Sequence, residues 1–214
     1  MVKSKPWNWK ISSAPWWKEP APEIYPLLKR WQKKKFQRLL DLGCGIGRHA
    51  VLFAQGGFKV DACDLSQDGI NKVNELAKQN KLNISTKVTD MLSLPYEDNL
   101  FDCLVAFNVI YHADDKGVVK TISEMKRVLK KKGEAFVTFN SKNSTSFKAE
   151  SNKRLSENTV IKTEGNEAGI PHYYADKADV EKLVKDFKTI EFSYKEEYYP
   201  DYVGAHYHVL LTKV

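Results

Sequence analysis

Three alternate glycines follow a short apolar run, and this glycine loop constrains the fold more than any other feature of the chain. Residues 36–42 have the pattern of a strand, and Gly43, Gly45 and Gly47 separate them from a helical pattern. Glycine allows a tight backbone turn and lets a ligand approach without meeting a Cβ atom. A glycine loop between a strand and a helix therefore predicts a ligand site at the edge of an α/β sheet.

Strand and helix patterns alternate over most of the chain. The predicted strands cover residues 36–42, 58–63, 84–88, 101–107 and 134–139, and the helices cover about 23–35, 46–55, 66–80, 115–131 and 176–186. Five apolar strands that alternate with helices indicate a doubly wound α/β sheet with parallel strands. Ser66 and Asp176 are predicted helix caps, and residues 188–194 and 206–214 predict a final antiparallel pair of strands.

The length and the apolar content predict one domain. The chain has 214 residues, of which 42% are hydrophobic, which is ample for a single core and argues against disorder. Residues 140–171 are polar and predict an insertion or a long loop. We therefore expect residues 1–214 to form a single domain that carries this insertion and an N-terminal arm, residues 1–35.

The net charge of +7 belongs to the arm rather than to the predicted domain. The arm holds nine Lys or Arg, two acids and all five tryptophans, whereas the other 179 residues balance at 25 basic against 25 acidic. Charge alone therefore does not indicate a nucleic-acid or membrane partner. Three cysteines without metal-ligand spacing, and no apolar run near the roughly 18 residues that span a bilayer, predict a cytoplasmic protein.

Two classes of ligand compete for the glycine loop. A dinucleotide would require a third glycine where this chain has Arg48, and its pyrophosphate would be repelled by Asp41. A ligand with an ammonium group and no phosphate would instead be favoured by that carboxylate. S-adenosylmethionine (SAM) is such a ligand, so these residues favour SAM over NAD.

Two further acids end the next predicted strands. Asp64 ends the second strand, where a carboxylate can accept hydrogen bonds from both ribose hydroxyls, in NAD sites as in SAM sites. Asp90 and Met91 follow the third strand, where they could hold the amine and the ring of an adenine. Each acid alone could be a loop cap, but three acids around one glycine loop favour a nucleoside site.

With these motifs the chain resembles the class I SAM-dependent methyltransferases. Residues 41–47 match the family's Asp/Glu-x-Gly-x-Gly-x-Gly motif, and residues 64–66 match its ribose-binding segment. Residues 89–102 resemble its adenine-binding turn, and residues 127–133 resemble the helix end before strand five, although Lys132 replaces a common proline. Within the family the chain is most similar to the small-molecule type, including tellurite and thioether S-methyltransferases.

The resemblance implies a Rossmann-like doubly wound sheet of seven strands in the order 3-2-1-4-5-7-6, with strand 7 antiparallel. It implies SAM as the cofactor, at the carboxyl ends of strands 1 and 4, with Asp41 addressing the methionine ammonium directly or through water. Together with the motifs it assigns a set of cofactor-binding residues: Asp41, Gly43, Cys44, Gly45, Gly47, Arg48, Asp64, Leu65, Asp90, Met91 and Asn108.

The segment after the fourth strand is expected to face the methyl group. His112 is a candidate base or acceptor-binding group, with a surface or helix-capping histidine as the alternative. Asn108 and Tyr111 have the spacing of the Asn-Pro-Pro-Tyr motif of amino-group methyltransferases, but both prolines are missing. We therefore expect Asn108 to support the cofactor, and Tyr111 to pack beside the substrate.

His172 and Tyr173 end the polar insertion, a region that often covers the acceptor pocket in this fold. His172 is the second catalytic candidate, and Tyr173 is a candidate substrate contact. His206 and His208 share one face of the last predicted strand, but two imidazoles alone do not make a metal site. The sequence therefore predicts no metal.

Trp16 and Trp17 are candidates for a lid. In similar methyltransferases an N-terminal helix with aromatic residues closes over the cofactor and the acceptor, and an aromatic wall favours a sulfonium through cation–π attraction. Core packing and contact with single-stranded RNA are the alternatives. The scarcity of Arg, 5 against 29 Lys, weighs against phosphate recognition.

Taken together, the residues and the resemblance predict an enzyme that moves a methyl group from SAM to a small-molecule acceptor, without a nucleic-acid or membrane partner. The alternatives are an RNA or protein methyltransferase that docks through the basic arm, a non-catalytic SAM-binding module, and an NAD-dependent oxidoreductase.

Overall fold

The computed structural model describes residues 5–9, 17–165 and 167–214, so Trp16 lies outside the described residues. The helices are α1 (Ile24–Lys33), α2 (Arg48–Gln55), α3 (Gln67–Gln79), α4 (Asp115–Val128), α5 (Thr145–Lys148) and α6 (Lys177–Leu183). The strands are β1 (Arg38–Leu42), β2 (Lys59–Asp64), β3 (Ile84–Val88), β4 (Phe101–Ala106), β5 (Leu129–Ser141), β6 (Lys153–Arg154), β7 (Thr159–Ile161), β8 (Pro171–Ala175), β9 (Lys188–Tyr199) and β10 (Tyr202–Thr212).

Parallel strands form the centre of the sheet, in the order β3-β2-β1-β4-β5. β10 pairs antiparallel with β5, and β9 pairs antiparallel with β10 from Lys188 to Tyr199. With β9 and β10 as the sixth and seventh strands, this is the order 3-2-1-4-5-7-6 with strand 7 antiparallel, and that prediction is confirmed. The order reverses between β1 and β4, where open α/β sheets bind their ligands.

The polar insertion, residues 140–171, contains regular structure and is not a plain loop. It forms α5, β6 and β7, and β8 begins at its last residue. β8 pairs antiparallel with β7, and it pairs parallel with the end of β5 through Asn140↔Tyr174 and Ser141↔Ala175. The three short strands span only two to five residues each, so no hydrophobic alternation is visible among their polar neighbours.

Two apolar cores hold the helices on the two faces of the sheet. Leu104 belongs to the core under α4 and α6, and its neighbour Val105 belongs to the core under α1, α2 and α3. Successive strand residues point to opposite faces, so a nearly continuous apolar strand supplies both cores. The predicted caps are confirmed: Ser66 accepts a hydrogen bond from the Gly69 N–H, and Asp176 forms a capping box on α6.

A buried carboxylate fastens α1 to the sheet. Glu134 of β5 is fully buried and accepts hydrogen bonds from Arg30 Nε and from the indole of Trp31, each at 2.8 Å. Lys34 lies 2.7 Å from the same carboxylate. Trp31, one of the tryptophans of the arm, thus packs in the core of the fold. Among the described residues, no helix combines the length and the apolarity needed to cross a membrane.

Candidate active site at the glycine loop

The glycine loop adopts a backbone that other residues would not tolerate. Gly43 and Gly45 have φ angles of 68° and 55°, in the left-handed region that L side chains rarely adopt. A Cβ atom on Gly43 would lie 2.2 Å from Val109 Cγ2, and one on Gly45 would lie 2.4 Å from the ring of Trp9. Conformation and close approach therefore both require glycine at these two positions.

Asp64, the last residue of β2, holds the loop in place. Its carboxylate accepts hydrogen bonds from the backbone N–H of Gly45 at 2.9 Å and of Ser66 at 2.8 Å. Burial raises the pKa of Asp64, against the lowering effect of these two donors. Because each carboxylate oxygen has two lone pairs, both oxygens can still accept a ribose hydroxyl.

Asp41 lies behind the loop. It is 2% exposed, and its Oδ2 makes no hydrogen bond to a described residue. Burial raises the pKa of Asp41 to about 7, opposed by the hydrogen bond from the Ala50 N–H and by the charge of Arg48. Asp41 is not among the residues that line the cavity over the loop. Its contact with the ammonium, directly or through water, stays a prediction.

A cavity opens over the glycine loop at the carboxyl ends of β1 to β4. Most of the predicted cofactor-binding residues line it, namely Gly43, Cys44, Gly45, Arg48, Asp64, Leu65, Asp90, Met91 and Asn108. Gly47 does not, because it is the N-cap of α2 and faces Val73 of α3. The cavity lies at the switch between β1 and β4, where the resemblance implies the cofactor.

The loop after β4 begins at a strained residue. Asn108 has a φ of 54°, a conformation that asparagine tolerates better than most residues. Its N–H donates to Thr138 Oγ1 at 2.7 Å, and that hydroxyl donates to Asn108 Oδ1 at 3.0 Å. These two bonds anchor the loop that carries Tyr111 and His112 to the cavity wall.

Three tryptophans of the arm cover the cavity. Trp7, Trp9 and Trp17 all line it, and their ring centroids lie 6.0, 5.9 and 5.6 Å apart. Trp7 also stacks on the ring of His112 at 6.0 Å, and the Arg48 guanidinium lies 5.6 Å from the ring of Trp17. Trp17 therefore lies beside the cavity, at the position that the predicted lid would occupy.

His112, Glu167 and His172 form a cluster on the acceptor side, which we name the imidazole–carboxylate cluster. Glu167 Oε1 lies 3.4 Å from His112 Nε2 and 3.2 Å from His172 Nε2. His112 and Glu167 line the cavity, whereas His172 lies behind them and is 1% exposed. Burial lowers the pKa of His172, against the raising effect of Glu167.

The two candidate tyrosines are placed differently. Tyr111 lines the cavity, and burial raises the pKa of its hydroxyl. Tyr173 is not among the residues that line it, and its predicted substrate contact stays a prediction. Its side chain points to the face of β8 opposite His172, because residues alternate along a strand, and its hydroxyl accepts a hydrogen bond from Asn158 Nδ2 at 2.9 Å.

Sequence reasoning missed several residues of the cavity wall. Trp7 and Trp9 are in the arm, where the clustering of tryptophans was a signal that could have included them. Glu167 and Ile170 are in an irregular polar stretch between β7 and β8. Such a stretch carries no periodicity that could have singled them out.

The model of a family described as "Methyltransferase domain" matches residues 39–133, from β1 into β5. The chain is also 32% identical, over 89 residues, to the probable S-adenosyl-L-methionine-dependent methyltransferase TehB of Haemophilus influenzae, which covers 42% of this chain and 31% of that protein. Over these residues the chain is similar to the class I SAM-dependent methyltransferases. Its cofactor is SAM, and the cavity over the glycine loop lies where this methyltransferase fold binds it.

Other comparisons extend the likeness of this methyltransferase. It is 38% identical over 98 residues to norajmaline N-methyltransferase of Rauvolfia serpentina, covering 44% of this chain and 33% of that protein. The crystal structure of PH0226 from Pyrococcus horikoshii OT3 matches with a TM-score of 0.73 and 25% identity, over 97% of this chain and 99% of the other. The methyltransferase spans about half or less of the length of the curated relatives it matches.

Proposed function

We propose that this methyltransferase transfers the methyl group of SAM to a small-molecule acceptor and releases S-adenosylhomocysteine (SAH). The observation that carries the proposal is the enclosure of the cavity, which has the glycine loop as its floor and Trp7, Trp9 and Trp17 as its cover. Clefts lined by aromatic side chains and a few polar groups are typical binding sites for small ligands and cofactors. An acceptor must fit beneath the tryptophans, next to the cofactor.

Methyl transfer from SAM depends more on positioning the acceptor and excluding water than on acid–base catalysis. The acceptor's lone pair attacks the methyl carbon in line, while the C–S bond breaks and its electron pair stays on sulfur. The three indole rings keep water away, and their faces favour the positive sulfonium of SAM. Asp64 would hold the ribose, and Asp90 with Met91 would hold the adenine, all three lining the cavity.

His112 is placed to meet the acceptor. Its ring lines the cavity between Trp7, on which it stacks, and Glu167, whose Oε1 lies 3.4 Å from its Nε2. A carboxylate beside an imidazole orients the ring. His112 would therefore bind the acceptor heteroatom, and would take its proton where the acceptor has one to lose.

Two further observations support a small acceptor. The named relative norajmaline N-methyltransferase acts, by its name, on a small molecule. The tryptophans that could stack on nucleobases are instead engaged with one another and with His112. This favours a lid over an RNA-binding surface.

An acceptor screen tests the proposal. The full-length protein is incubated with SAM and panels of small amines, thiols, hydroxyl compounds and metalloid oxyanions, beside panels of RNA and of peptides, and SAH release is measured. We expect release with one class of small acceptor and little with RNA or peptide. Turnover confined to RNA or to peptide, or SAM binding without turnover on any panel, would show the proposal to be wrong.

A further inference from the structure

The imidazole–carboxylate cluster brings together three side chains of the kinds that bind metal ions. His112 comes from the loop after β4, Glu167 from the loop before β8, and His172 from β8 itself. One ligand atom of each lies within 4.8 Å of the others. These residues lie 55 and 5 positions apart in sequence, too irregularly for the sequence to have predicted a metal.

His172 has a lone pair directed into this cluster. Its Nδ1 lies 3.0 Å from the carbonyl oxygen of Ile170, and a carbonyl can only accept, so Nδ1 carries the proton. In the neutral ring Nε2 is then an acceptor. It is buried, makes no hydrogen bond to a described residue, and lies 3.2 Å from Glu167 Oε1, which is also an acceptor. With the ring proton on Nδ1, His172 Nε2 and Glu167 Oε1 are two acceptors that a bound cation could join.

The ring geometry matches that of a metal ligand. Histidines that bind metals usually donate their other ring N–H to a carbonyl or a carboxylate, which fixes the tautomer. His172 does so through Ile170. The ammonium of Lys162 pairs with Glu167 Oε2. It leaves Oε1 as the oxygen that faces both imidazoles.

The distances suit an ion of the size of Zn²⁺. Ligands at about 2.0–2.1 Å in tetrahedral geometry lie roughly 3.3 Å from one another. The separations from Glu167 Oε1 to the two imidazole nitrogens, 3.4 and 3.2 Å, already have this value. The remaining separation, between the two imidazole nitrogens, lies within 4.8 Å, so the two rings would have to draw closer around an ion.

The geometry points to a binding site for a divalent transition-metal ion of the Zn²⁺ type, held by His112 Nε2, Glu167 Oε1 and His172 Nε2, with its fourth position open toward the cavity. Two imidazoles and one carboxylate with an open position form a ligand set found in catalytic zinc sites. His112 and Glu167 line the cavity and His172 lies behind them. The open side of the ion would therefore face the cavity.

A role in catalysis rests on the proposed function. With His112 Nε2 engaged as a ligand, the ion would replace that imidazole's role as base: it would bind an acceptor oxygen or sulfur and lower the pKa of its proton, which passes to solvent. The freed lone pair then attacks the methyl carbon of SAM. This arrangement favours hydroxyl and thiol acceptors over amines that are already neutral.

Metal titration tests the site itself. Untagged full-length protein is stripped with a chelator and titrated with Co²⁺, whose visible absorption reports ligand geometry, and then with Zn²⁺ in competition. We expect one equivalent bound, and at least a tenfold loss of affinity in H112Q, E167Q and H172Q. The matched control is the double variant H206Q/H208Q, which removes two neighbouring imidazoles of β10 and should bind the metal as the wild type does.

SAH binding, measured on the same samples, separates this inference from the proposed function and shows that each variant is folded. Wild-type protein that binds SAH but takes up no Co²⁺ or Zn²⁺ would overturn the metal site and leave the methyltransferase proposal intact. Equal loss of metal in the H206Q/H208Q control, or none in E167Q and H172Q, would also overturn it. Metal bound by a protein that never turns over would support the site and refute the function.

Discussion

Replacing Gly43 by alanine changes the backbone and the cavity wall at once, and Gly57 offers a matched control. Both glycines have left-handed φ angles, 68° and 92°, and any other residue there costs roughly 1–2 kcal/mol. A Cβ on Gly43 would meet Val109 Cγ2 at 2.2 Å and Val109 Cβ at 2.6 Å, whereas one on Gly57 would meet nothing within 4 Å. Overpacking of this kind adds about 1–3 kcal/mol.

The expected free energies of unfolding follow by addition. G57A should lose roughly 1–2 kcal/mol and G43A roughly 2–5 kcal/mol, measured by urea unfolding with tryptophan fluorescence. G43A should also bind SAH more weakly, because Val109 lines the cavity, while G57A binds it as the wild type does. Equal destabilisation of the two variants, with SAH affinity unchanged in both, would refute the reasoning.

Three further predictions concern the fold and the lid. Burial opposes ionisation of Glu134, but the hydrogen bonds from Arg30, Lys34 and Trp31 outweigh it and lower the pKa of Glu134. In denaturant titrations, E134Q should therefore lose about 1–3 kcal/mol of the free energy of unfolding at neutral pH. The loss should become smaller as pH falls below the ordinary glutamate pKa. Burial lowers the pKa of His49 to about 3, so His49 alone should contribute about 2 kcal/mol to the stability that the wild type loses between neutral pH and pH 5, as the unfolded chain takes up a proton near its ordinary pKa of about 6.5. H49Q should lack that part of the loss, and an identical pH profile would contradict the assignment. W17L should weaken SAM more than SAH in calorimetry, by about 2- to 30-fold, because only SAM carries the sulfonium, and equal weakening of both ligands would argue against an aromatic wall at the sulfonium.

The central sheet and most of the cofactor side could be predicted from the sequence, and the reason is local. β1, the glycine loop and α2 are contiguous in the chain. Gly43 and Gly45 are therefore neighbours both in the sequence and in the cavity wall. Asp64 and Asp90 follow parallel strands, whose carboxyl ends meet at one edge of the sheet. Local pattern and spatial neighbourhood coincide for these residues.

The acceptor side could not be predicted in the same way, since it is assembled from distant segments. Trp7 reaches the cavity from the arm, and Glu167 reaches it from the insertion. Neither lies in a helix or strand, so neither carries a periodic signal. Tyr173 lies outside the lining of the cavity, because a one-residue step along β8 turns a side chain from one face to the other.

Asp41 shows a limit of motif reasoning of another kind. The motif places a carboxylate beside the loop, and the sequence suggests that it meets the ammonium. Its side chain is buried behind the loop, with a pKa raised to about 7 by that burial. The residue type was informative, but its exposure depended on packing that only the fold determines.

Calorimetry with SAM and SAH on the full-length protein tests the central claim most directly. We expect binding at one site, weakened at least tenfold in D64A, because a carboxylate that accepts ribose hydroxyls contributes about 1.5–3 kcal/mol per hydrogen bond. D61A is the matched control, since Asp61 lies on the same strand, is buried, and pairs with Arg38 rather than lining the cavity; it should bind SAH as the wild type does. No binding of either ligand at millimolar concentration, or equal affinity in D64A and the wild type, would contradict the account.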